Sequence, residues 1–215
     1  RLLFNLSRAR GVLKELDYAV IVEGYFDVMA LYQAGVVNVV GLLGTALTEG
    51  HLRILGNYTK NLLFFLDSDS AGQSASLRSI DIAEKMDFST AVAMVKGAKD
   101  PAELFALKGS QGISDALSMS IPGSIFRVEF YSRKLDLSLS QAKKHLIEYL
   151  KPYIEAFGSS GNFSAREMTL RALSEKTGFS EDELVRFTRK ESRELDQLDQ
   201  KTPINLRNKD ILRVY

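Results

Sequence analysis

The stretch Leu62-Leu-Phe-Phe-Leu66-Asp67-Ser-Asp69-Ser-Ala-Gly72 sets an apolar run directly against two carboxylates. The run has the length and composition of a buried strand. The residues after it are typical of a turn and of the start of a helix. This stretch predicts a buried strand that delivers acidic side chains at its end.

Three further apolar runs of strand length surround this one. They lack in/out alternation, as strands covered on both faces do. Helical patterns lie between them: one ends at Gly35, one can be capped by Thr48, and one spans residues 71–86. Strands that alternate with helices in this way predict βαβ units, so we expect an open α/β domain with a parallel sheet. The three runs are Tyr18-Ala-Val-Ile-Val22, Val36-Val-Asn-Val-Val40 and Ala91-Val-Ala-Met-Val95.

The second half of the chain has a different pattern. From about residue 119 the strand-like runs disappear and helix signals replace them. Ser140 can cap a helix, and capping boxes begin at Ser164 and Ser180. We therefore expect an all-helical subdomain after the α/β domain. The polar residues 191–215 are expected to be a linker or a partly ordered tail.

The composition excludes several classes of protein. The chain has 215 residues, of which 45% are hydrophobic and 26% charged, values that are ordinary for a globular protein. It has no cysteine, which excludes a disulfide scaffold, a cysteine nucleophile and a thiolate zinc site. No apolar stretch approaches the ~18 residues of a membrane helix, and no signal peptide is visible. We expect a piece of a larger cytoplasmic protein.

The net charge of +1 conceals an acidic middle segment. Residues 19–118 contain seven Lys and Arg against eleven Asp and Glu, whereas the segments before and after are net basic. An acidic segment repels phosphates unless cations are bound in it. The basic N-terminal residues Arg8 and Arg10 are candidates for contacts with nucleotide or template phosphates, or belong to a solvated helix face.

Carboxylates follow three of the four predicted strands. Ligands of an open parallel sheet bind outside the carboxyl ends of its strands, so these acids should share one edge. Carboxylate oxygens suit Mg²⁺ or Mn²⁺. By themselves Asp67 and Asp69 are equally typical of a turn and a helix N-cap, Glu23 is more typical of a solvated strand end, and Asp100-Pro101 is a common turn. Gly44-Thr45 is more often a simple loop. Their shared edge favours a metal site. The acids are Glu23 and Asp27, Asp67 and Asp69, and Asp100.

In the order and spacing of its motifs, the chain resembles a known family. A strand ending in Glu-Gly, followed by a later strand ending in Asp-x-Asp, is similar to the pattern of a Toprim domain. The motif sequences are most similar to those of bacterial primases of the DnaG type. The resemblance covers residues 2 to about 110 strongly and the helical region weakly. It is carried by Leu3-Phe-Asn-Leu6, Ala9-Arg10, Val22-Glu-Gly-Tyr-Phe-Asp-Val28, Leu43-Gly-Thr-Ala-Leu-Thr48, Asp67-Ser-Asp69-x-Ala-Gly72 and Lys99-Asp-Pro101.

The resemblance implies a DNA primase, an enzyme that joins ribonucleoside triphosphates into short RNA primers on single-stranded DNA. It implies that Asp67 and Asp69 hold Mg²⁺ or Mn²⁺, and that Glu23 completes the cluster or acts as a base. Asp27 is implied to position the ligands without touching the metal. Asp100 is implied to be an outer ligand. Gly44 and Thr45, together with Arg8 and Arg10, are implied to contact nucleotide or template.

Partners and domains are implied in the same way. A replicative helicase would bind through a missing C-terminal region, zinc would be held only in a missing module, and no membrane is involved. Residues 1–17 would end a preceding basic polymerase subdomain. Residues 18–115 would form the Toprim domain, 116–190 a helical subdomain and 191–215 the tail.

Two positions depart from the family pattern. Ser68 stands where the family usually has glycine, and Ala102 stands where it usually has the second aspartate of Asp-Pro-Asp. Glu103 is adjacent and is a candidate to replace that lost carboxylate. The departure at Ala102 weakens the expected metal role of this loop.

Two other functions stay open at this point. The same Glu and Asp-x-Asp cluster serves DNA cleavage in Toprim topoisomerases and nucleases. The second alternative is a non-enzymatic module that binds DNA or helicase. The segment from Leu173 to Leu184 has the pattern of a helix-turn-helix, with Gly178 in the turn. Glu181, Asp182 and Glu183 at the start of its second helix argue against contact with DNA.

Overall fold

The structure centres on a sheet whose strands alternate with helices. It is a computed structural model that describes residues 2–67, 69–160 and 163–188, and the sheet has five strands within those residues. The strands are β1 (Ala19–Val22), β2 (Val39–Gly41), β3 (Asn61–Phe64), β4 (Ser89–Val92) and β5 (Ile121–Pro122). The helices are α1 (Leu6–Leu16), α2 (Tyr25–Gln33), α3 (Glu49–Leu55), α4 (Ser70–Glu84), α5 (Pro101–Ser118), α6 (Gly123–Ser132), α7 (Ser140–Ser160) and α8 (Phe163–Thr177). Residues 181–188 are also helical.

The strand order is β2-β1-β3-β4-β5. The first four strands are parallel, which confirms the expected α/β fold. Strand β5 pairs antiparallel to β4, with Ala91 opposite Pro122. The expectation that strands end before residue 119 is wrong here, because a two-residue strand that contains a proline carries no periodic signal in the sequence.

Both faces of the sheet are covered by apolar side chains. Ile21 and Phe64 belong to the core cluster on one face, and Val22 and Phe65 belong to the cluster on the other. This explains why the strand sequences show no alternation. An apolar residue in a helical pattern is expected in the core, but Met29 of α2 is 51% exposed.

The N-terminal segment packs onto the sheet. Leu3, Ala9 and Leu13 are buried in the same cluster as the sheet residues. Phe4 exchanges two backbone hydrogen bonds with Gly41, of 3.0 and 3.2 Å, and so extends the β2 edge by one bridge. The expected domain limits stay predictions.

A buried arginine joins the α/β part to the C-terminal helices. Arg127 of α6 pairs with Asp81 at 2.9 Å and with Glu84 at 2.6 Å, both on α4. Its guanidinium lies over the ring of Tyr153 of α7, 4.2 Å from the centroid. Helices α4, α6 and α7 are therefore held together by one ionic cluster.

The C-terminal helices form the expected helical unit around an apolar cluster that includes Val128, Leu150 and Leu173. Ser180 and Glu183 bind each other's backbone N–H groups, which confirms that capping box. Helix α8 is described from Phe163, which places Ser164 in its first turn, and the box expected at Ser164 stays a prediction. Residues 191–215 lie outside the described residues. Among the helices that the structure describes, none has the length and hydropathy that crossing a membrane would require.

Candidate functional site

The carboxyl ends of the parallel strands meet at one edge and bring the predicted acids together. Glu23 follows β1 directly, and Asp67 follows β3 after two further buried residues. Strands β1 and β3 are neighbours in the sheet, which explains why these two side chains converge. Electrostatic interactions connect Glu23 with Asp67, Asp27 and Asp69, and connect Asp67 with Asp100.

Glu23 is anchored by the residue that it faces. The backbone N–H of Asp67 donates a hydrogen bond to the Glu23 carboxylate. The Oε1 atom of Glu23 is buried and has no hydrogen-bond partner within the described residues. Burial raises the pKa of Glu23, and the charge of Asp67 raises it further. Glu23 thus presents an oriented carboxylate oxygen that a proton or a cation can satisfy.

Asp67 carries the same electrostatic signature. Its pKa is raised first by burial and then by the charges of Asp100 and Asp69, while Lys99 lowers it. Several acids that each hinder the ionisation of the others indicate a site suited to positive charge.

Asp27 holds two loops of this edge together. It is buried at the third position of α2, where its Oδ2 accepts the Gly24 N–H at 2.9 Å. Its Oδ1 accepts the Ala102 N–H, 3.2 Å away at the start of α5. Burial raises its pKa, whereas these two hydrogen bonds lower it. The expected supporting role of Asp27 stays a prediction, and these contacts agree with it.

Asp69 and Asp100 both cap helices. Asp69 accepts the Gly72 N–H at 2.7 Å and caps α4, and Asp100 accepts the Glu103 N–H at 2.8 Å and caps α5. Glu103 in turn accepts the backbone N–H of Lys99, the residue before the cap. The carboxylate of Glu103 therefore binds the backbone of its own loop. This hydrogen bond does not support the idea that Glu103 replaces the carboxylate that is absent at Ala102.

Gly72 permits the close approach of α4 to the acidic edge, a role that sequence reasoning missed. A Cβ at this position would lie 2.4 Å from the backbone oxygen of Asp67. No side chain fits in that space, so the first turn of α4 packs directly on the backbone that carries Asp67. The signal available in the sequence is a glycine in the first helical turn, where glycine is otherwise unfavourable.

The remaining predicted residues lie around the edge. Gly44 has φ +70° and Thr45 donates its hydroxyl hydrogen to the Leu42 carbonyl at 2.6 Å, so this loop is a defined turn beside the site. Arg8 and Arg10 are exposed on α1, which packs against β2.

The acids fit a divalent cation only in part. Across the described stretches, no three acidic or histidine side chains form a ready-made metal-binding group. Asp69 and Asp100 each use one carboxylate oxygen in a helix cap and keep the other oxygen for a ligand. The buried, unpartnered Oε1 of Glu23 and the raised pKa of Asp67 still fit a cation that takes one or two carboxylates and completes its shell with water and phosphate, as Mg²⁺ does.

The chain matches known proteins along most of its length. Residues 20–105 match the family described as Toprim-like. The chain is 32% identical over 158 residues to a DNA primase of Legionella pneumophila, which covers 72% of this chain. It is 34% identical over 178 residues to a DNA primase of Lactococcus lactis subsp. lactis, which covers 80%. The chain spans only about a quarter of these two relatives, 27% and 26% of their lengths.

Solved structures show the same likeness. A DNA primase domain from Pseudomonas aeruginosa superposes with a TM-score of 0.71 at 26% identity, over 87% of this chain and 59% of that one. A DnaG primase catalytic domain bound to single-stranded DNA superposes with a TM-score of 0.72 at 25% identity, over 85% of this chain and 58% of that one.

Proposed function

Because the chain belongs with the DnaG-type primases, as a catalytic-core fragment that contains the Toprim-like domain, we propose that it supplies the metal-dependent nucleotidyl-transfer site of a DNA primase. Such an enzyme joins ribonucleoside triphosphates on a single-stranded DNA template and releases pyrophosphate. The relatives are named DNA primases, which supports this reaction over strand cleavage by another Toprim enzyme.

The observation that carries the proposal is the acidic edge centred on Glu23 and Asp67. These residues follow neighbouring parallel strands, and burial together with mutual repulsion raises the pKa of both. Phosphoryl transfer depends on positioning and on control of charge, and bound Mg²⁺ or Mn²⁺ would supply the positive charge that neutralises the triphosphate.

The residues of the chain have distinct proposed roles. Glu23 accepts a proton from the attacking 3′-hydroxyl, directly or through water, because its pKa is raised and its Oε1 has no partner within the described residues. Asp67 and Asp69 hold the cations, and Asp100 is an outer ligand. Asp27 keeps the loops that carry Glu23 and Asp100 in register.

The same proposal extends to the parts that surround the site. We propose residues 18–115 as the Toprim unit and 116–190 as the helical subdomain, with 1–17 as the end of a basic polymerase subdomain. Gly44, Thr45, Arg8 and Arg10 contact nucleotide or template. The helicase would bind a region outside this chain, and the protein would act in the cytoplasm.

A helix-turn-helix at Leu173 to Leu184 has less support. Leu173 and Leu184 are both buried in the core of the helical unit, and Gly178 has φ +77° in the turn between the helices. The turn therefore serves packing, and three carboxylates begin the second helix.

Titration with Mn²⁺, followed by electron spin resonance of the free ion, tests the metal site. We expect the 215-residue chain to bind Mn²⁺ and the Asp67→Asn, Asp69→Asn double variant to lose that binding. Asp182→Asn removes an exposed carboxylate in the helical unit and is the matched control. Equal binding by the double variant and the control would contradict the metal site.

Primer synthesis by the full-length protein tests the reaction. With a single-stranded DNA template and ribonucleoside triphosphates, Asp67→Asn should abolish synthesis while circular dichroism stays unchanged, since among the described residues no donor forms a hydrogen bond to the Asp67 side chain. Unaltered synthesis by Asp67→Asn would defeat the assignment. Strand cleavage without incorporation would favour a Toprim nuclease instead.

A further inference from the structure

A cavity of about 240 Å³ lies between the loop after β2 and helix α4. Glu23 lines it together with Gly44 and Thr45, so it lies beside the acidic edge. Arg78 of α4 is the cation among its lining residues. The cavity therefore joins a carboxylate of the proposed catalytic site to an arginine that the proposed function does not use.

The polar groups of this cavity have unused bonding capacity. Arg78 is exposed and forms no ion pair or hydrogen bond with any residue that the structure describes. Oε1 of Glu23 is buried without a partner in the same part of the chain. A guanidinium offers five N–H donors in a planar fork, and a carboxylate oxygen accepts from a hydroxyl.

The position of Arg78 on α4 suits a ligand at the edge of the sheet. Helix α4 begins at its cap Asp69, on the acidic edge, and long helical side chains lean toward the N-terminus of their helix. Arg78 and Glu23 line the same cavity, so one ligand in it can contact both side chains. Around it, the walls of the cavity are largely apolar and include Leu42, Leu47 and Leu66.

We infer that this cavity binds a nucleoside phosphate unit, with the phosphate on Arg78, the sugar and base against the apolar wall, and a sugar hydroxyl on Glu23. This inference rests on the proposed function, since it names the substrate part that the site would hold. The acids of this edge repel an anion. A phosphate bound here therefore needs the positive guanidinium of Arg78 as its ion-pair partner. The phosphate belongs either to a free nucleotide or to a nucleic-acid strand.

Equilibrium binding without divalent metal tests the inference apart from catalysis. The probes are AMP and an oligomer of eight thymidines, each added to the 215-residue chain in the presence of EDTA. We expect Arg78→Ala to weaken the binding of one or both probes at least tenfold and Arg78→Lys to weaken it less. Lys85→Ala removes an exposed charge from the end of the same helix, outside the cavity, and should bind like the unaltered chain.

The outcomes separate the sources of the phosphate. Loss of AMP binding alone assigns the cavity to a nucleotide, and loss of oligomer binding alone assigns it to a strand. 2′,3′-Dideoxyadenosine monophosphate should bind more weakly than AMP if a sugar hydroxyl reaches Glu23. Equal binding by Arg78→Ala and Lys85→Ala overturns the inference, as does the absence of binding for both probes. Because metal is absent, the site can fail this test while the Mn²⁺ titration succeeds, and the reverse also holds.

Discussion

The backbone N–H of Ala102 donates a hydrogen bond of 3.2 Å to Oδ1 of Asp27, which lies 75 residues earlier in the chain. The other oxygen of Asp27 accepts the Gly24 N–H, beside Glu23. One buried carboxylate thus connects the loop after β1 to the loop after β4. Ala102, one of the two residues that depart from the family pattern, contributes through its backbone, which any residue except proline can do.

Asp27→Ala should destabilise the fold by about 1–3 kcal/mol, because two backbone N–H groups at a partly buried site lose their acceptor. Chemical denaturation with urea would measure the free energy of unfolding. Asp115→Ala is the control, since it removes an exposed carboxylate that accepts a hydrogen bond from Gln111 of the same helix. A loss no larger than in the control would show that the connection does not stabilise the fold.

Gly72→Ala should impair both folding and metal binding. A Cβ would lie 2.4 Å from the backbone oxygen of Asp67, so α4 must move away from the acidic edge. We expect a loss of about 1–3 kcal/mol in unfolding free energy, as for other overpacked sites, together with weaker Mn²⁺ binding. Gly11→Ala, where a Cβ meets nothing within 4 Å, is the matched substitution and should bind Mn²⁺ normally. Normal Mn²⁺ binding by Gly72→Ala would contradict the role given to this contact.

The stability of the metal-free protein should depend on pH through the acidic edge. The folded-state pKa values of Glu23, Asp27 and Asp67 are raised above the ordinary values of 4.5 and 3.8. The folded state therefore binds more protons than the unfolded state. The stability that this proton binding contributes is fully present below pH ~4 and is lost as the pH rises through the raised folded-state pKa values.

Urea unfolding in EDTA at several pH values above 4 measures this effect. We expect the free energy of unfolding of the unaltered chain to fall more with rising pH than that of Asp67→Asn, since the amide cannot ionise. Added Mn²⁺ should reverse the fall by neutralising the acids. Identical pH dependence for the two proteins would refute the mutual repulsion.

Arg127→Ala should destabilise the protein by about 3–5 kcal/mol, because removing one partner leaves the Glu84 carboxylate buried without its cation. The double variant Arg127→Met, Glu84→Gln should recover part of that loss in urea unfolding, since it removes the uncompensated charge. Arg53→Ala breaks an exposed pair with Glu49 and should change stability by less than about 1 kcal/mol. A double variant as unstable as Arg127→Ala would show that charge burial is not the cause.

The C-terminal helices show which contacts sequence reasoning can predict and which it cannot. Ser180 and Glu183 were predictable as a capping box because both partners lie within one turn. The ionic cluster of Arg127 was not, since its partners lie 43 and 46 residues away on another helix. Strand β5 was not predictable either, because its pairing with β4 joins segments that are distant in the chain and leaves no periodic trace in the sequence.

The sequence by itself determined the parallel α/β fold and the edge on which its acids lie, because apolar runs of strand length and the residues that follow them are local patterns. Tertiary structure decided how those acids are used. Asp69 and Asp100 cap helices, and Asp27 accepts a hydrogen bond from Ala102. Glu23 accepts a hydrogen bond from the backbone of Asp67. A cavity lies between Glu23 and Arg78. These relations depend on hydrogen bonds and close approaches between segments that are far apart in the chain, and only the packed fold brings those segments together.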